Sequence, residues 1–195
     1  MIKAIETEYK GYKFRSRIEA RWAIFFDTVG IKYEYEKEGY DLDGVWYLPD
    51  FWLPELETWV EIKGKKPTKE EENKCHKLAK LSNKRVFLLY GEIPYSEDKI
   101  IVKNGENIGD FIDGWQKVLD NFVMYVGEGG CDYPYMFCEC PDCGNIGIEF
   151  DGRSDRLKCK NKGGCPTHSP NDDKHYNYCS KKIIKGYKKA RGYRF

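Results

Sequence analysis

The stretch "YLPDFWLPELETWVEIKG", residues 47–64, sets Asp50, Glu61 and Lys63 among tryptophans, leucines, valine and isoleucine. Its apolar runs predict two strands joined through "PELE". Side chains alternate faces along a strand. Val60 and Ile62 therefore share one face, while Glu61 and Lys63 share the other, about 6–7 Å apart. A short connection brings Asp50 beside Glu61. Two carboxylates held that close repel unless a cation joins them. A hard divalent cation such as Mg2+, which binds through one or two carboxylates, suits the pair. The plainer alternative is a charged sheet face carrying a Glu–Lys ion pair. Against it stands the setting of Asp50 between Leu48, Pro49, Phe51 and Trp52, where an unpaired carboxylate is costly. The pattern predicts charges at the sheet's working edge rather than inside its core.

Upstream, "RSRIEARWAIFFDTVG", residues 15–30, predicts a helix. Ser16 can cap it and Glu19 stands at capping-box spacing. Gly30 can end it. Ile18, Trp22, Phe25, Phe26 and Val29 form one apolar arc, with Glu19 at its edge. "IKYEYEKE", residues 31–38, alternates like a half-buried strand. "WYLPDFWL" and "TWVEIKG" are the next two strands, with Pro49 marking an edge or bulge. Pro67 and a Thr68–Glu71 capping box open a second helix, on which Cys75, Leu78 and Leu81 recur at helical spacing. Cys75 is expected in the core and His76 at the surface. "RVFLLYG", residues 85–91, suits a strand covered on both faces. The order helix, three strands, helix, strand describes a mixed α/β layer. Residues 108–125 predict a further helix closing this domain, and "VGEGGCDYP" a linker containing the Cys131 thiol.

"PD" at Pro49–Asp50, followed by "EIK" at Glu61–Lys63 and preceded by the helical Glu19 of "SRIEARW", resembles the PD-(D/E)xK nuclease superfamily. Residues 14–91 carry the likeness, which is to phage-type members and to the endonuclease subunit of some transposases. The resemblance implies a restriction-endonuclease-like α-β-β-β-α-β core. It implies a Mg2+- or Mn2+-dependent endodeoxyribonuclease that hydrolyses phosphodiesters. Asp50, Glu61 and the backbone carbonyl of Ile62 would hold the metal, Lys63 would be the catalytic lysine, and Glu19 would assist. The alternative function is a non-catalytic or structure-specific nucleic-acid-binding protein, resolvase-like or RNA-directed, on the same scaffold.

The expected nuclease domain covers residues 1–126 and a small cysteine-rich module residues 127–195. Of 8 cysteines, seven fall from Cys131 to Cys179. Without a signal-peptide pattern in "MIKAIETEYK", the expectation is a cytoplasmic protein (host cytoplasm if phage-encoded), where clustered cysteines mean metal more often than disulfides. "CECPDCG" offers Cys140 and Cys143, and "CKNKGGC" offers Cys159 and Cys165. The intervening "IGIEF" and "RLK" are expected to pair as a hairpin. Together these predict a zinc ribbon with a structural Zn2+ on four thiolates. Cys138, His168, His175 and Cys179 are alternative ligands.

Charge divides along the chain. Residues 152–195 hold 13 Lys/Arg against 3 Asp/Glu, a balance of +10, whereas residues 1–151 carry −9. Arg153, Arg156 and Lys158 lie in the module. Lys181, Lys182, Lys185, Lys188, Lys189 and Arg191 in the tail interleave with Tyr187, Tyr193 and Phe195. Cations for phosphates and rings for bases suit nucleic acid. Ile183, Ile184 and Tyr187 predict the apolar side of a short helix. DNA is the expected partner, with RNA as the alternative, no membrane, and a homodimer allowed.

Overall fold

In the computed structural model of the chain, residues 4–93, 122–126, 129–131, 135–140, 144–150 and 180–195 are described. A hairpin of β1 (Thr7–Tyr9) and β2 (Tyr12–Phe14) comes first. It turns on Lys10 and Gly11, both at positive φ, the backbone twist that suits a two-residue hairpin. Helix α1 (Arg17–Val29) follows, capped by the Ser16 hydroxyl and ended by Gly30 in the left-handed region. Then come β3 (Glu34–Tyr35), β4 (Tyr40–Asp41), β5 (Trp46–Tyr47), β6 (Phe51–Leu53), a 3-10 turn at Pro54–Leu56, and β7 (Thr58–Lys63). Helix α2 (Lys69–Ser82) leads to β8 (Arg85–Tyr90). Further along lie β9 (Phe122–Val126), β10 (Gly129–Cys131), β11 (Tyr135–Glu139), β12 (Ile146–Phe150) and helix α3 (Lys181–Gly192). Among the described residues, no helix is long and apolar enough to cross a membrane.

The main sheet is mixed, six-stranded, and ordered β10-β9-β8-β7-β6-β3. Among the described residues its parallel pair is β7 with β8; α2 is the crossover that a parallel pair requires. Alternation along each strand divides the core between two faces. Phe51, Leu53, Val60, Ile62, Phe87, Leu89 and Met124 bury against α1. Trp59, Val86, Leu88 and Tyr125 bury against Cys75, Leu78 and Ala79 of α2. The expected order of helix, three strands, helix and strand is present as α1, β3, β6, β7, α2 and β8. The expected "WYLPDFWL" strand divides at Pro49. Its first part pairs with β4 in a separate small sheet, and only Phe51–Leu53 joins the main one.

Three expectations need correction. The helix expected over residues 108–125 ends instead in strand β9; residues 108–121 lie outside the described residues. Val123 and Tyr125 pack on the α2 side while Met124 packs on the α1 side, an alternation that only a strand covered on both faces produces. Part of the expected linker, Gly129–Cys131, forms an antiparallel strand on β9. Leu81 is 58% exposed. At 3.6 residues per turn it lies about 120° around the helix from Cys75, and Ala79 takes the inner position.

The described part of residues 127–195 shares a core with the first part of the chain. Phe137, Ile148, Ile183, Tyr187 and Ala190 join the α1 cluster. The expected tail helix is α3, capped by Ser180, with Ile183 and Tyr187 buried as its apolar pattern requires. Tyr187 stacks on Phe25 at 4.5 Å between ring centroids. Such closeness needs Gly186, where an added Cβ would stand 2.6 Å from Val29 Cγ1.

The α2 cap is reciprocal. Glu71 accepts from the Thr68 amide at 2.8 Å, and the Thr68 hydroxyl accepts from the Glu71 amide at 3.3 Å. Thr68→Ala is expected to cost about 1 kcal/mol, read as a lower urea midpoint with an unchanged m-value.

Candidate active site

The strand ends bring the charged cluster together. β6 and β7 pair antiparallel with Phe51 opposite Val60, and continuing that register sets Asp50 opposite Glu61. Backbone bonds fix Asp50 on both sides. Its carbonyl accepts from the Glu36 amide at 2.9 Å. Its Oδ2 accepts from the Ile62 amide at 2.6 Å. Asp50 and Glu61 are each only 3% exposed, and Glu19 is 6% exposed. The cluster expected at the sheet's edge is therefore buried.

Each carboxylate is differently engaged. Asp50 Oδ1 takes a 2.7 Å bond from Arg15 Nη2. Glu61 Oε1 pairs with Lys63 Nζ at 2.6 Å, while Glu61 Oε2 is buried with no hydrogen bond. Glu19 Oε1 accepts from the Ser16 hydroxyl at 2.5 Å. Its Oε2 accepts from the Tyr35 hydroxyl at 2.7 Å and from the Arg15 amide at 3.1 Å. Glu19 is thus both a helix-cap partner and a wall of the cluster. Lys63 also lies 3.8 Å from Glu71 at the start of α2.

Electrostatics follow from this crowding. Burial pushes the Asp50 carboxyl well above the usual range, and the charges of Glu61 and Glu19 push it further. The Ile62 amide and Arg15 pull the other way. Burial works against the Lys63 ammonium, but Glu61 beside it outweighs that and raises its pKa. The Tyr47 phenol is raised by burial, then by the neighbouring Cys75 and Glu61. Each of the two facing acids thus has one cation beside it, Arg15 at Asp50 and Lys63 at Glu61.

Such a site fits a divalent cation. Two facing acids, one with an unbonded buried oxygen, supply hard oxygen ligands without a competing amine on Oε2. Among the described residues, no group of three or more His, Cys, Asp or Glu side chains is arranged to hold a metal ion. Mg2+ bound through one or two carboxylates does not require three.

Arg15, Tyr35, Glu36 and Tyr47 join the cluster without having been expected there. Tyr35 carried a signal, since its alternation with Tyr33 put it on a half-buried strand. Arg15 carried none, because a residue just before a helix cap has no periodicity to read.

In the cysteine region, Cys140 is buried within a turn closed by bonds from the Gly144 amide to the Cys140 carbonyl and from the Cys140 amide to the Asn145 carbonyl, each 2.8 Å. Cys143, Cys159 and Cys165 lie outside the described residues, as do His168, His175, Cys179, Arg153, Arg156 and Lys158. "IGIEF" is strand β12 and pairs with β11 across that turn; its expected partner at residues 156–158 is also outside. Cys138 is buried, with its thiol 3.9 Å from the Gly147 carbonyl. Cys75 is in the core as expected. His76 is half-buried, with its ring against Tyr125.

On α3, Lys181, Lys185, Lys188, Lys189 and Arg191 occupy exposed positions. Lys182 bonds the Gly144 carbonyl at 3.0 Å. Arg191 pairs with Glu92 at 2.9 Å, so its charge is partly spent within the fold.

Comparison with protein-family models, curated proteins and solved structures finds no match.

Proposed function

We propose that the chain is a divalent-metal-dependent DNA endonuclease with a PD-(D/E)xK, restriction-endonuclease-like core. One observation carries this reading: Asp50 and Glu61 face each other, buried, with Glu61 Oε2 unbonded and Lys63 on Glu61 Oε1. Burying two facing acids is expensive even with Arg15 and Lys63 beside them, and a divalent cation shared by both would offset that cost. Asp50, Glu61 and the Ile62 carbonyl would hold Mg2+ or Mn2+. A bound divalent cation would polarise a phosphodiester and lower the pKa of a water. Lys63 supplies a fixed ammonium for charge that develops on the phosphorus oxygens. Glu19 holds the Arg15 backbone and Tyr35 in place around the acids. A structural zinc on Cys140, Cys143, Cys159 and Cys165, and the exposed lysines of α3, would help grip the DNA.

The test is a panel of linear, circular, single-stranded and junction DNA incubated with Mg2+ or Mn2+, with Lys63→Ala as control. Cleavage by the wild type alone is the expected result. A second reading is a binding protein on a nuclease scaffold. The hold of Arg15 on Asp50 favours it, since a cation site engaged by an internal cation needs no metal. Binding without nicking in the same panel would select it. Binding of either kind must weaken as salt rises if phosphates are the contact.

A further inference from the structure

Arg15 joins separate segments of the described fold. Its guanidinium spans two acids, with Nη2 2.7 Å from Asp50 Oδ1 and Nε 2.7 Å from Glu36 Oε1. Its backbone is pinned, because the Arg15 amide donates to Glu19 Oε2 and to the Tyr35 hydroxyl, both at 3.1 Å. Its side chain is nonetheless 54% exposed, against 4% for that of Asp50. The residue thus has a fixed root, an open head, and one arm on a carboxylate that the proposed function assigns to the metal.

We propose that Arg15 couples cation binding to substrate binding: it sits on Asp50 as an internal counter-ion, and gives up that carboxylate to take a nucleic-acid phosphate when a divalent cation binds. The inference rests on the nuclease reading. Its physical basis is charge balance. Asp50 and Glu61 lie face to face, and Glu19 adds a third buried acid nearby. A divalent cation on Asp50 cancels the attraction that holds Nη2, while Glu36 keeps Nε in place. The freed edge of the guanidinium then presents two donors outward, a geometry matched to phosphate oxygens. Because binding couplings are reciprocal, phosphate that draws Arg15 off Asp50 must raise cation affinity by the same factor.

A merely structural Arg15, needed only to neutralise Asp50, competes with a cation in the same way, so the duplex measurement separates the two roles. Removing it would then raise Mn2+ affinity and leave the Mn2+-dependent gain in duplex affinity unchanged, a result that overturns the coupling. The experiment uses the full chain as wild type, Arg15→Gln, Arg15→Lys and Asp50→Asn. Mn2+ binding is followed by titration calorimetry, and binding of a short labelled duplex by fluorescence anisotropy with and without Mn2+. Arg15→Gln should bind Mn2+ about tenfold more tightly than wild type, the scale of one lost charge-assisted bond. It should also lose most of the gain in duplex affinity that Mn2+ gives the wild type. Arg15→Lys keeps the charge without the fork and should fall between the two, which holds the test open if the glutamine variant folds poorly. Equal or weaker Mn2+ binding by both variants overturns the coupling. If wild type binds no Mn2+, or Asp50→Asn binds it equally well, the metal assignment beneath it falls as well.

Discussion

Lys63→Ala is expected to slow cleavage by about 10²–10³-fold, the cost of losing one fixed donor to transition-state charge, while DNA binding persists. On the proposed reading the ammonium would have two roles: it would meet phosphate charge as it develops, and it neutralises Glu61 through the 2.6 Å contact. Its loss leaves Glu61 buried without its cation in the metal-free protein, with Tyr47 as a polar neighbour. A stability loss of about 1–3 kcal/mol should accompany the kinetic one, and Mg2+ should restore part of it by binding the folded state alone. Plasmid nicking rates, urea midpoints with and without Mg2+, and duplex binding separate these effects. A wild-type nicking rate in the variant would remove Lys63 from the site.

The opening stretch shows where sequence is readable. Alternation correctly separated Val60 and Ile62 from Glu61 and Lys63, because a strand face depends only on local pleat. The α1 and α2 caps were legible for the same reason: Ser16, Thr68 and Glu71 act within one turn. The burial of Asp50 was not. It depends on Glu36, Ile62 and Arg15, which belong to three different segments. Strand β9 was lost because an amphipathic helical pattern runs into "FVMYV" without punctuation, and only tertiary cover on both faces chooses the strand. The N-terminal hairpin passed unnoticed, since its strands are three residues each and Lys10–Gly11 is a weak turn signal beside Asn-Gly or Asp-Gly.

The second large effect is expected at Tyr187. Its ring lies at 17° to that of Phe25, meets Trp22 edge-on at 6.3 Å, and is 1% exposed. Tyr187→Ala removes a fully buried ring between two helices and should cost about 3–5 kcal/mol. Little relaxation can fill the gap, because Gly186 already holds the helices at contact distance. The measurement is chemical denaturation followed by tryptophan fluorescence, for which Trp22 beside the vacated ring is a reporter. A midpoint shift worth less than about 1 kcal/mol would mean that α3 docks loosely and that residues 181–192 do not complete the core.

That docking has a consequence in time. The aromatic face of α1 is finished by a helix that starts at residue 181, although α1 itself ends at residue 29. At a synthesis rate of roughly 5–20 residues per second, the face waits on the order of 10 s for its cover. Trp22, Phe25 and Val29 lack their final partner throughout that interval. Contacts spanning so much chain also slow the search for the native state. The nascent chain is therefore most prone to association before α3 emerges to cover α1.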